Sequence, residues 1–155
     1  LSELFGTPVK FWYPEGMPLY VAQSDITIVE EPNVSASEVA DLYRASGIHR
    51  PFDDVGRVER MLKNSNLKIC ARHAGVLIGF ARALTDFSYC CFLSDLAVHR
   101  EYQRNGIGKA MVQAMRQRLT DEVTILLLSN PESMDFYPPL GFQKVGNGWI
   151  IPRSH

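Results

Sequence analysis

No stretch of the 155-residue chain stays apolar long enough to cross a bilayer, where a helix needs about 20 such residues, and no secretory signal is legible. The expected location is therefore cytoplasmic, or a plastid in a eukaryotic source. An excess of either charge is also lacking. Lys and Arg number 16 against 17 Asp and Glu, a formal net charge of −1. A broad nucleic-acid surface needs clustered Lys and Arg, so that class of partner is excluded. Cysteine is scarce: Cys70, Cys90 and Cys91 make an odd set with two adjacent members, a poor disulfide framework that fits a reducing compartment. Neither a C-x-x-C nor an H-x-x-x-H spacing occurs and the four histidines are scattered, so no metal is expected. Repeats and low-complexity tracts are missing, and this length suits one domain with a real core.

Proline and aromatics, by contrast, crowd the beginning. Residues 1–24 hold Pro8, Pro14, Gly16 and Pro18 among Phe5, Phe11, Trp12, Tyr13 and Tyr20. Prolines at this density exclude a long helix, and the aromatics gain by burial. The expected organisation is an arm, 1–24, lying across the domain or a partner subunit, and a single domain over 25–155.

Within the domain the periodicities alternate. Ile26–Glu30 reads as a strand. Helices are expected over Ala36–Ala45, with Val39, Leu42 and Tyr43 inward, and over Val55–Lys63, with Val58, Met61 and Leu62 apolar. Asn33, Ser35 or Ser37 is the expected cap of the first. Leu67–Arg72 and Val76–Leu84 form strands around a tight turn at His73-Ala74-Gly75. Cys90–Val98 is apolar at nearly every position, as a strand covered on both faces would be. Ile107, Ala110, Met111, Ala114, Met115 and Leu119 share one helix face, and Val123–Leu128 is another apolar run. Strand, helix and strand this close predict a parallel βαβ unit with a right-handed crossover. Gln143–Val145 and Trp149–Ile151 flank Gly146-Asn147-Gly148, a hairpin signal. The fold class is α/β (α+β): a mixed, mostly antiparallel sheet with a central parallel βαβ unit and helices on both faces.

The turn that opens the long helix carries the chemistry. A helix N-terminus offers unpaired N–H groups and partial positive charge to an anion. In Gln103-Arg104-Asn105-Gly106-Ile107-Gly108-Lys109 two glycines let a phosphate approach the backbone, and Arg104 and Lys109 add charge. The P-loop pattern fails, because no glycine sits five residues before Gly108 and Ala110 follows Lys109. The dinucleotide fingerprint fails because Met111 stands at its third glycine. The pattern Q/R-x-x-G-x-G/A fits as Gln103, Gly106 and Gly108. Downstream, Asn130, Ser133, Phe136, Tyr137, Leu140, Gly141 and Phe142 fit N-x-x-[AS]-x-x-[FL]-Y-x-x-L-G-F.

In these two segments, and in their order, the chain resembles the GNAT acyltransferases over roughly residues 25–151, including the small bacterial or plastid-type and arylalkylamine-acetylating branches. The resemblance implies acetyl-CoA as cofactor. The backbone of Arg104, Asn105, Gly106, Ile107, Gly108 and Lys109, with Gln103, would hold the pyrophosphate. Leu96, Ala97 and Val98 would align the pantetheine arm and polarise the thioester carbonyl, and Asn130 would contact the pantetheine or order the turn after it. It further implies acetyl transfer to a primary amine, a small-molecule amine favoured, by direct attack in a ternary complex. Protein or peptide N-acetylation stays open, and so does a non-catalytic acyl-CoA sensor. Tyr137 is the implied general acid. Asp95, the one acid in the central strand, is the implied base or the group that binds the cationic amine, with a plain buried carboxylate as the alternative. His49, Arg50, Phe52 and Asp53 are implied substrate contacts, since the loop between the first two helices borders the acceptor site in such proteins. Phe92 stands where certain protein-lysine acetyltransferases of the superfamily carry a catalytic glutamate, which lowers that alternative. Pro138 and Pro139 depart from the family pattern and are expected to end a helix at Tyr137. A homodimer is implied by family habit and fits the aromatic arm.

Overall fold

The protein is described here by a computed structural model covering Leu19–Val21 and residues 25–154; the aromatic arm otherwise lies outside the described residues. Six strands form one sheet in chain order: β1 (Leu19–Val21), β2 (Ile26–Glu30), β3 (Leu67–His73), β4 (Val76–Thr85), β5 (Cys90–Val98) and β6 (Thr124–Leu127). Neighbours pair antiparallel except β5 and β6, which pair parallel across α3 (Ile107–Leu119). The end of the arm thus adds β1, antiparallel to β2.

Each face of the sheet is covered because each helix keeps one apolar stripe. Ile107, Met111 and Met115 of α3 pack with Ile28, Ile69 and Ile78 on one face. Val39, Leu42 and Tyr43 of α1 (Ala36–Ser46) join Val58 and Leu62 of α2 (Val55–Lys63) over Phe80 and Ala97 on the other. Each such aliphatic side chain contributes about 1.5–3 kcal/mol on burial. Gly79 lets α3 approach closely: a β-carbon there would sit 3.0 Å from both Met111 Cε and Ala71 Cβ.

The helix ends follow local chemistry. Gly47 closes α1 in the left-handed conformation at φ 80°. Ser35 occupies the N-cap of α1, but its hydroxyl meets Ser37 Oγ at 2.8 Å rather than capping a backbone N–H. Asp54 caps α2 by accepting from the Arg57 N–H at 2.9 Å. Buried Lys68 donates Nζ to the carbonyls of Leu62 and Ser65 at the other end of α2. Among the described residues no helix is long and apolar enough to cross a membrane.

Three local expectations are corrected. The 143–151 hairpin does not form: neither arm is a strand, and Trp149 and Ile151 are 98% and 97% exposed. Arms of three residues cannot hold a hairpin without burying a face. After Asn130 the chain makes two short 3-10 turns, Pro131–Ser133 and Pro138–Leu140, instead of a helix ending at Tyr137; three prolines in nine residues remove N–H groups a helix needs. Finally, β5 is not covered evenly on both faces but alternates, with Phe92 exposed between buried Cys91 and Leu93.

Candidate active site

A bulge in β5 creates the site. Ala83 pairs with Leu93 and Arg82 with Asp95, so Ser94 is an extra residue with no partner on β4. An inserted residue reverses which face the following side chains take. Cys91 and Leu93 accordingly pack on the α3 side, whereas Ala97 joins the α1–α2 side. Asp95 is turned toward α1 in the same way.

At the bulge the sheet also splits. β6 pairs with β5 only from Cys90 to Leu93. Beyond that point β5 continues with β4 alone, leaving its other edge without a strand partner from Ser94 to Val98. A cleft of about 410 Å³ occupies the gap, walled by Leu96, Ala97 and Val98 on one side and by Leu128, Asn130 and Tyr137 on the other. Gln103 and Arg104 stand at its end.

The turn into α3 is open to a ligand. Gly106 is the N-cap at φ 79°, and a β-carbon on it would meet nothing within 4 Å. Arg104 also has a positive φ of 64°, and Arg104, Asn105 and Lys109 are exposed. Ile107 is buried in the core, so only its backbone faces the turn. Ala97 is likewise buried and can meet a ligand only through its backbone. Gln103 spends its side chain differently: Nε2 donates to the carbonyls of Val98 and Ser46 at 2.9 and 3.2 Å, tying the end of β5 to the end of α1. Asn105 Nδ2 donates to the Tyr102 and Gln103 carbonyls at 3.3 Å and braces the turn. These features fit a diphosphate ester with a long extended tail: backbone N–H groups around an unobstructed glycine, then an unpaired strand edge along the cleft.

Tyr137 lines the cleft, half-buried between Phe136 and Phe142, whose rings meet it edge-on at 5.1 and 5.5 Å between centroids. Burial pushes its phenol above the ordinary value, and the Arg50 charge pulls against that rise. Asn130 lines the same wall without capping the turn that follows.

Asp95 is fully buried and does not line the cleft. One carboxylate oxygen accepts from Arg50 Nε; the other accepts from Arg82 Nε and from the Tyr43 hydroxyl at 2.7 Å. Burial opposes its ionisation, but the two guanidinium groups and the phenol outweigh that and hold the carboxyl below its usual range. Burial and the Asp95 charge keep the Tyr43 phenol protonated. Arg82 also reaches Ser65 Oγ and Ser94 Oγ, at 2.8 and 2.7 Å.

Of the loop between α1 and α2, Gly47, Ile48 and Arg50 reach the cleft. Arg50 further donates Nη1 to the His49 carbonyl and Nη2 to the Ser94 carbonyl, both at 2.7 Å. His49 and Asp53 are exposed, with Asp53 3.5 Å from Arg44. Phe52 packs on the α1–α2 core beneath the Arg44 guanidinium. Tyr43, Arg82 and Ser94 complete the arrangement without having been singled out as site residues. Arg82 had a signal: one charge inside the apolar run Val76–Leu84 needs a buried partner, and Asp95 is the one acid of the next strand.

The chain matches the model of the Acetyltransferase (GNAT) family over residues 36–142. It is 30% identical over 131 residues to the uncharacterized N-acetyltransferase ycf52 of Pyropia yezoensis, covering 80% of this chain and 74% of that one. A GNAT family acetyltransferase from Streptococcus pneumoniae superposes with a TM-score of 0.68 at 25% identity, over 83% of this chain and 99% of that one. The aminoglycoside N-acetyltransferase AAC(6')-Iy in complex with CoA shares the fold, with a TM-score of 0.66 at 18% identity over 88% of this chain and all (100%) of that one. A bulged, splayed sheet with a glycine turn at its open end and a family match across most of the domain agree, and the chain belongs to the GNAT acetyltransferase family.

Proposed function

We propose that the protein transfers an acetyl group from acetyl-CoA to a primary amine, a small-molecule amine favoured, by direct attack within one complex of protein, thioester and amine. The observation that carries this reading is the splay beyond Leu93, with the Gly106 turn at one end and Tyr137 on its wall. Acetyl-CoA supplies an acyl group already activated as a thioester.

The chain's own groups have separable tasks. Backbone N–H groups from Arg104 to Lys109 hold the diphosphate, helped by the partial positive charge of α3. The free edge of Leu96–Val98 would hydrogen-bond the extended arm and offer backbone donors to the carbonyl oxygen. Gln103 contributes by holding β5 and α1 together rather than by touching phosphate. Asn130 lies on the opposite wall, within the cleft.

Tyr137 Oη, on the cleft wall, would offer its proton to the departing sulfur. A phenol near 10 and a thiol near 8.5 make full transfer uphill by about 2 kcal/mol, and burial of Tyr137 adds to that gap. The hydroxyl therefore works chiefly by donating a hydrogen bond as negative charge builds on sulfur. Asp95 does not deprotonate the amine, because it is saturated and sealed. The amine attacks only when neutral, which for a pKa of ~10.4 handicaps reaction at pH 7 by roughly 4–5 kcal/mol. Amines of low pKa are favoured accordingly.

The test is thermal stabilisation by acetyl-CoA, followed by free-thiol release across a panel of amines. Binding with thiol release supports the proposal. Binding without release from any amine favours an acyl-CoA sensor, and absence of binding defeats both.

A further inference from the structure

We infer that the acceptor amine carries a carboxylate or a comparable anionic group, received by the Arg50 guanidinium where it enters the cleft. The inference rests on the acetyl-transfer reading of the same cleft and narrows its substrate class.

The argument begins with charge. The buried cluster around Asp95 contains one carboxylate, the neutral phenol of Tyr43, and two guanidinium groups, Arg50 and Arg82. Two positive charges against one negative leave a surplus of one. Among the described residues no second carboxylate pairs with either guanidinium. Ser65 and Ser94, the remaining partners of Arg82, are neutral, and Lys68, bonded to the Ser65 carbonyl, is itself a base. On the Arg50 side, His49 contributes only its carbonyl, and Asp53 faces Arg44.

Geometry then decides where the surplus is felt. Arg82 is buried, as are Asp95 and Tyr43, and none of the three lines the cleft. Arg50 does line it, with 23% of its side chain exposed. Three of its N–H groups are committed, to Asp95, Ser94 and His49, and those bonds fix the plane of the guanidinium. Among the described residues no group accepts from its remaining N–H groups. A fixed, partly desolvated guanidinium with free donors is the geometry that binds a carboxylate well. Asp95 thus acts as a positioning residue that aims Arg50.

The same charge argues against other acceptors. A polycationic amine would meet an uncompensated like charge beside Tyr137, whose phenol already responds to Arg50. Among the described residues the acid that lines the cleft is Glu132, on the β6 side; it suits the ammonium end of a zwitterion while Arg50 takes the anionic end.

The experiment compares amino acids with their own carboxamides, aliphatic and aromatic, with the carboxylate in the α or the ω position. The carboxamide is nearly isosteric, uncharged, and has a less basic amine, so reactivity alone would favour it. Two readouts are taken: kcat/KM with acetyl-CoA, and equilibrium binding by calorimetry with CoA present. For at least one pair the acid should exceed its amide tenfold in both. Arg50→Gln should lower the acid's values at least tenfold more than the amide's, and Arg50→Lys should keep part of the difference. The fold of both variants is checked by stabilisation with acetyl-CoA.

Amides bound and acetylated as well as acids throughout would overturn the inference while leaving acetyl transfer intact. An Arg50→Gln loss equal for both members of every pair would also overturn it. Acid-selective, Arg50-dependent binding without thiol release would do the reverse, supporting the anion site and removing the transferase reading. Absence of binding and turnover for every compound would remove both.

Discussion

Phe136 sits over Gly108 so closely that a β-carbon on residue 108 would lie 3.1 Å from Phe136 Cζ. The contact presses the first turn of α3 against the segment that carries Tyr137, whose ring centroid is 5.1 Å from that of Phe136. Gly108 therefore serves the tyrosine wall as well as any phosphate.

Gly108→Ala should separate these effects. Residue 108 is helical, so alanine gains about 1 kcal/mol in helix propensity. Phe136 is 38% exposed and has room to yield. The expected outcome is a melting temperature unchanged or raised, with kcat lowered several-fold as Tyr137 shifts with its neighbour. Calorimetry beside steady-state kinetics checks it; unchanged kcat would break the link between the two walls.

Tyr137→Phe removes one hydroxyl and leaves the ring packed between Phe136 and Phe142. Turnover should fall at least tenfold, about 1.4 kcal/mol of barrier, with acetyl-CoA affinity nearly unchanged. Because burial raises the phenol above its usual value, the activity lost through its ionisation should appear only above pH ~10. A loss of activity centred near pH 8 would assign that limb to another group.

Gly106→Ala probes the turn. At φ 79° a β-carbon meets no atom, so the cost is backbone strain alone, on the order of 1–2 kcal/mol. The strain should weaken acetyl-CoA binding roughly ten- to thirtyfold by titration while kcat at saturation changes little. Full affinity in the variant would show that the anion is gripped elsewhere.

Elements whose apolar period is unbroken were legible in sequence: β5 at Cys90–Val98 and α2 at Val55–Lys63 carry the expected bounds. The glycine turn and the tyrosine wall were legible because φ and spacing constrain residue type there. Which way Asp95 faces was not. It depends on one unpaired residue, Ser94, and a bulge leaves the local composition unchanged. The same holds for Gln103, whose matched position gives no sign that its amide bridges Val98 to Ser46, 57 residues away. The 143–151 segment misled because an Asn-Gly pair signals a turn whether or not its arms have a face to bury.

Asp95→Asn separates the base that sequence comparison implies from the buried anchor found in the fold. As an anchor, the substitution removes the one negative charge facing two guanidinium groups, with Arg82 still buried. Breaking such a pair costs about 3–5 kcal/mol, and urea unfolding should show it directly. The stability has a defined pH window. The folded carboxyl titrates below the unfolded value of ~3.9, so its contribution is full above that value and is lost as pH falls through the folded pKa. In the variant that acid-sensitive component should vanish. Catalysis gives the second arm. Without Asp95 as base, kcat/KM of the wild type for an alkylamine should climb about tenfold per pH unit toward the amine's own pKa, and Asp95→Asn should keep that slope. A wild-type plateau near neutrality that the variant abolishes, with stability unaltered, would return Asp95 to the role of base.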